Sequence, residues 1–337
     1  MHVWTTCLVL TLTGAWYGCS RVDGPTHRKK PTVYTTFYPT RYFAERIGAE
    51  HMEVICPVPE GADPILWIPS AQTIRAYQQA DLVVINGAGY EHWLSKVSLP
   101  PSKVVDTTRG MAKDLITLEN AVTHSHGPDG AHTHEGLDGH TWLDPVLATA
   151  QVRAIRRALA KLMPEEAGTF QANTTELLAE LDELDRAFAR LTQTLNERPL
   201  LASHPAYNYL ARRYGWSVTN LALDPQTVPE EAQLAELEKI VRQHDSRVLL
   251  WEREPRPEVA TRLERSLGLR SVVFSPCELL GEAAMRSGED YLGVMQQNIE
   301  RLLSVTKGMN EARRSAKFEF GDSAETKSAK LESVQEE

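Results

Sequence analysis

Thr123–Pro145, THSHGPDGAHTHEGLDGHTWLDP, holds five of the chain's 11 histidines. They are His124, His126, His132, His134 and His140. Neutral imidazole is a favoured nitrogen ligand for zinc, so the cluster raises metal chemistry first. The first four histidines lie among Gly, Pro, Asp and Thr, which predicts a mobile loop over 123–139. That loop reads as an auxiliary metal collector or as a plain solvated linker. His140 differs. Trp142, Leu143 and Asp144-Pro145 follow it directly and mark the start of an ordered element.

Other metal-capable groups fall at the ends of predicted strands. PLLASH ends on His204, RVLLWE ends on Glu252, and the strand of RSVVFSP ends on Ser275, with Cys277 just beyond it. His140 and His204 are the leading ligands from the residues themselves. Glu252 is the first choice for a completing carboxylate, with a surface ion pair to an arginine as its bland alternative. Cys277 is a softer candidate, and a buried thiol is its alternative. Glu60 and Asp63 lie in PEGADPILWIPS and read as turn and solvent residues. The chain has no H-E-x-x-H and no C-x-x-C, so no short local motif declares a site.

The elements that must position these residues alternate. TVYTTF, MEVICPV, DLVVINGA and SKVVDTT read as strands, with helical stretches between them. After residue 198 the alternation returns in PLLASH, SVTNLALD, RVLLWE and RSVVFSP. This predicts an α/β protein of two lobes, each with a four-stranded, mainly parallel sheet flanked by helices. Ligands of such sheets bind beyond the carboxyl ends of the strands.

Two helical stretches lie between the lobes. The second has Leu or Phe at 177, 178, 181, 184, 188 and 191, a stripe at helical spacing that reads as core. At about 30 residues it would span about 45 Å. The expected segments are 1–19, a signal and lipobox segment; 30–145, the first lobe; 146–197, the helical link; 198–306, the second lobe; and 307–337, a polar tail read as disordered.

Composition narrows the partners. Hydrophobic content of 42% and charged content of 24% are those of a soluble globular chain. A net charge of −9 argues against nucleic acid as partner. The apolar run VWTTCLVLTLTGAWYGCS is short for a membrane span and reads as an export signal. Its end resembles a bacterial lipoprotein cleavage box with Cys19 lipidated, although Trp16 and Tyr17 are unusual there. Export to the periplasm or the outer face of the membrane, held by lipid, is expected. Cys7 would then be removed, and Cys56 and Cys277 read as separate buried thiols.

TTFYPTRYFAERIG, VPEGADPILWIPSAQTIRAYQQADLVVINGAGYEHWL, GHTWLDP and ASHPAYNYLARRYGW together resemble the zinc/manganese-type substrate-binding proteins of bacterial ABC importers. The resemblance spans roughly residues 32–306. It implies two lobes bridged by a long rigid helix, with a metal between them. Its His-rich loop is typical of zinc-specific members, so Zn²⁺ is expected ahead of Mn²⁺. It further implies no enzymatic activity and a membrane permease as partner; a monomer is expected. The family's ligand histidines fall on His140 and His204. Two family positions lack their usual ligand, with Ile65 in place of a histidine and Ser275 in place of an acid. Those gaps keep a second reading open: a paralogue with a weakened or lost site, used in buffering, sensing or partner contact. A zinc hydrolase using Glu252 as base is a third and weaker reading.

Overall fold

The computed structural model describes residue 1, residues 29–125 and residues 131–309. Cys7, Cys19, His126 and residues 310–337 lie outside the described residues. The first sheet is built from β1 (Thr32–Thr35), β2 (Glu53–Ile55), β3 (Leu82–Ile85) and β4 (Val104–Asp106). The second is built from β7 (Leu200–Ala202), β8 (Val218–Asn220), β9 (Val248–Trp251) and β10 (Arg270–Val273). Every pairing in both sheets is parallel.

The sheets repeat one topology. Their orders are β2-β1-β3-β4 and β10-β9-β7-β8, so each follows the order second, first, third, fourth. The central strands β3, β7 and β9 are buried at every residue. Both of their faces are covered, which explains continuous apolar runs such as LVVI and VLLW instead of alternation. In each sheet the direction of winding reverses between the first and third strands. The crevice beyond their carboxyl ends is where such folds place ligands.

The helices of the first half are α1 (Tyr38–Gly48) and α2 (Ala71–Gln79). Two helices follow the first sheet, α3 (Pro145–Leu162) and α4 (Ala167–Leu195). Asp144 starts α3 by accepting the Val146 N–H, with Pro145 at the first helical position. α4 runs 29 residues and buries Leu177, Leu181, Leu184, Phe188 and Leu191 along one stripe. Leu178 is partly buried against the same core. That core also contains Val33 and Val84 of the first sheet and Leu200 and Val248 of the second, so it is continuous through both. The remaining helices are α5 (Asn208–Tyr214), α6 (Glu231–His244), α7 (Pro257–Leu267), α8 (Glu282–Arg286) and α9 over 291–309.

Two expectations are corrected. The stretch expected as a loop pairs as an antiparallel hairpin, β5 (Thr117–Ser125) with β6 (Ala131–Leu137), which sets His124 opposite His132 and Val122 opposite His134. Gly, Pro and Asp concentrate at 127–130, while the arms carry Thr and Val, which suit strands. The expected tail also starts too early, because α9 continues through residue 309.

Candidate metal centre

His140 sits at the entry to a short 3₁₀ turn, Thr141–Leu143, just ahead of α3. Asn86, immediately beyond β3, pins this segment. Its side-chain amide donates to the Gly139 carbonyl at 2.8 Å, and its oxygen accepts from Thr141 Oγ1 and Gln151 Nε2. The carboxylate of Asp138 then aims the imidazole. It accepts the His140 backbone N–H at 2.9 Å and stands 2.8 Å from Nδ1. The second Asp138 oxygen accepts from Asn208 Nδ2 at 2.8 Å, and Tyr209 Oη donates to the Asp138 carbonyl at 2.8 Å. Residues of α5 thus hold the residue that orients His140.

His204 follows β7 and Glu252 follows β9, the two strands flanking the winding reversal of the second sheet. Both imidazoles are buried, and their ring centroids lie 5.7 Å apart, edge to face. Glu252 Oε2 stands 3.7 Å from His204 Nδ1, and its other oxygen is 3.6 Å from Arg253 Nε. Glu252 therefore faces a histidine and an arginine at once.

The carboxylate beside His140 Nε2 is Glu278, at 3.4 Å. Sequence reading missed it. Glu278 lies three residues beyond Ser275, where the usual acid was sought, and a tight turn brings it in. Cys277 adopts a left-handed conformation, φ 60°, and its N–H donates to Ser275 Oγ at 3.1 Å. The turn is clamped from several elements. Trp142 Nε1 donates to the Pro276 carbonyl at 2.7 Å, and Tyr207 Oη to the Phe274 carbonyl at 2.6 Å. Asn298 of α9 meets both the N–H and the carbonyl of Ser275. The Tyr38 N–H donates to the Glu278 carbonyl, and Tyr90 Oη donates to its carboxylate at 3.3 Å.

Cys277 is turned the other way. It is 1% exposed, lies in the apolar core, and burial pushes its thiol well above the ordinary range. A thiolate ligand is disfavoured there, so the buried-thiol alternative describes it. Cys56 is likewise a free thiol, raised by burial. Ile65 is a core residue, and Asp63 accepts its N–H in a local turn. A cavity of about 320 Å³ opens beside the site, lined by Glu60, Asp63, Arg253, Glu252, Ser275 and Glu278 among others.

Charge explains the arrangement. Burial opposes protonation of His140, but the Asp138 carboxylate and its hydrogen bond, with Glu278 beyond, outweigh it and raise the imidazole to about 10. At neutral pH it is an imidazolium between two carboxylates. Among the described residues, no three His, Cys, Asp or Glu side chains are already drawn together as a finished metal shell. His140 has the His204 ring and the Glu278 carboxylate as neighbours. Nearby, Glu91 is buried and accepts from Thr36 Oγ1 and from the Asn86 and Gly87 N–H groups. Burial lifts its carboxyl to about 7.

Residues 33–305 match the ZnuA family, described as the periplasmic component A of a zinc-uptake complex. The chain belongs to the ZnuA family. The zinc-binding lipoprotein AdcA of Streptococcus pneumoniae strain R6 is 30% identical over 282 residues, covering 82% of this chain. The chain spans only 56% of that relative's length. The high-affinity zinc uptake system protein ZnuA of Bacillus subtilis is 29% identical over 80% of this chain and 86% of its own. Among solved structures, the Zn(II)-bound ZnuA-like domain of S. pneumoniae AdcA aligns with a TM-score of 0.71 at 29% identity. That alignment covers 82% of this chain and 99% of that domain. As the sequence resemblance implied, the ZnuA family is a transport component and not a group of enzymes.

Proposed function

We propose that this chain captures Zn²⁺ at His140, His204 and Glu278 and passes it to an ABC-type importer permease. The observation that carries the reading is the meeting of two buried imidazoles with a clamped carboxylate. Asp138 stands 2.8 Å from Nδ1 of His140 and Glu252 3.7 Å from Nδ1 of His204, which supports Nε2 of each ring as the atom toward the ion. Two neutral imidazoles and one carboxylate form a three-ligand zinc set, with a fourth position for water. Glu252 thus orients a ligand and is not itself one, in contrast to the sequence expectation. Mn²⁺ prefers more oxygen ligands than this set offers.

In this reading His124, His126, His132 and His134 gather zinc beside the site. The chain works as an exported monomer held at the membrane by lipid on Cys19. Ile65 offers no lone pair, and this supports the second reading, a paralogue with reduced affinity. Competition against a calibrated zinc chelator separates the two. One tight zinc per chain is expected, weakened about 100-fold or more in His140→Ala, His204→Ala and Glu278→Gln. If none of the three changes weakens binding, the site lies elsewhere and the proposal fails.

A further inference from the structure

Away from the metal centre, α3 and the edge strand β4 enclose a groove of about 630 Å³. Its lining is basic, with Arg109, Arg153, Arg157 and Lys161 all exposed. In a chain of net charge −9 this needs an explanation. Some surface arginines elsewhere have acidic neighbours, as in Arg213 with Asp185, Arg242 with Glu238 and Arg286 with Glu282. None of the four groove cations makes an ion pair among the described residues. The lining carboxylate, Asp106, is turned onto the N–H and hydroxyl of Thr108.

The groove also offers backbone. Thr107 donates its N–H to Ile85 of β3, so alternation leaves the N–H and carbonyl of Val104 and the N–H of Asp106 facing the open edge, while the Asp106 carbonyl accepts the Arg109 N–H. An edge strand of this kind can pair with an added strand. The cations match such a strand in spacing. Arg153, Arg157 and Lys161 recur every fourth residue of α3, about 6 Å apart along the axis. Alternate side chains of an extended chain recur about every 6.6 Å.

We propose that this groove docks an extended acidic segment of a partner protein, added as a strand to β4 with carboxylates at alternate positions against α3. Backbone pairing at the edge favours a peptide over lipid headgroups, which bring no strand. The proposal is independent of the zinc reading.

The test is fluorescence polarisation with a labelled Thr-Glu-Val-Glu-Val-Glu-Thr peptide and the purified full chain at low salt. Binding is expected to weaken about tenfold or more in Arg153→Glu with Arg157→Glu, and to fall steeply with added salt. The same double variant is expected to bind a peptide with Lys in place of Glu better than the unchanged chain does. Methylating alternate peptide nitrogens is expected to weaken binding about tenfold by removing strand pairing. Unchanged binding of the acidic peptide by the double variant would overturn the proposal. So would binding to phosphatidylglycerol vesicles with none to the peptide. Peptide binding that appears only after removal of residues 310–337 would assign the groove to the chain's own tail and overturn the partner.

Discussion

At His140 a proton and the proposed zinc ion compete for one nitrogen. The imidazole is held protonated up to about pH 10 by Asp138 and Glu278. A raised histidine value stabilises the fold fully below its unfolded value of about 6.5 and loses that contribution as pH climbs toward 10. The metal-free chain is therefore expected to lose thermal stability between pH 6.5 and 10, and His140→Gln to flatten that slope. Zinc must expel the proton, so loading at pH 7.5 is expected to release about one proton from His140 and to tighten with rising pH. Calorimetry in buffers of different ionisation enthalpy reads this release; none would place the ion away from His140. Asp138 works through His140. Asp138→Asn keeps the shape but removes the charge that fixes the ring, and is expected to cost about 10–100-fold in zinc affinity. It should also bring the His140 titration down, as NMR of the ring protons would show.

Among the elements, the turn at 275–278 has the largest consequence for the site. It places Glu278 by spending a left-handed conformation on Cys277, which a non-glycine residue adopts only when its surroundings hold it. Asn298 on α9 supplies two of the holding bonds from 23 residues away. Asn298→Ala removes both and leaves part-buried backbone groups without a partner, at a cost of about 1–3 kcal/mol in urea unfolding. Zinc affinity is expected to fall with it although Asn298 is not a proposed ligand. Unchanged zinc affinity with reduced stability would show that the turn holds its shape without that clamp.

The whole molecule decides whether the three proposed ligands can meet at all. One core runs from the first sheet through α4 to the second, so the His140 and His204 segments are held in a common frame. Ile65 belongs to that core on the side where the sequence resemblance expects a further histidine. Ile65→His is expected to tighten zinc about tenfold or more by supplying another imidazole. It should also lower stability by about 1–3 kcal/mol, because a polar ring replaces a buried branched aliphatic chain. Chelator competition and thermal melts of one preparation test both signs. A lower melting point with no gain in affinity would show that position 65 does not reach the ion.

Much of this was legible in the chain. Buried strands such as LVVI and VLLW declare themselves by continuous apolar residues, and α4 by its stripe, because both patterns depend on local periodicity. His140 and His204 stand out for the same reason, as imidazoles at the ends of such elements. Glu278 did not stand out. Its approach to His140 depends on a turn at Cys277 and on clamps from Trp142, Tyr207 and Asn298, which are distant in sequence and adjacent only after folding. The roles proposed for Cys277 and Glu252 depend likewise on direction. One side chain faces the core and the other faces His204, and spacing along a chain carries no information on which way a strand-end loop turns. The groove along α3 is the same kind of case, since only the sheet order puts an open edge beside its arginines.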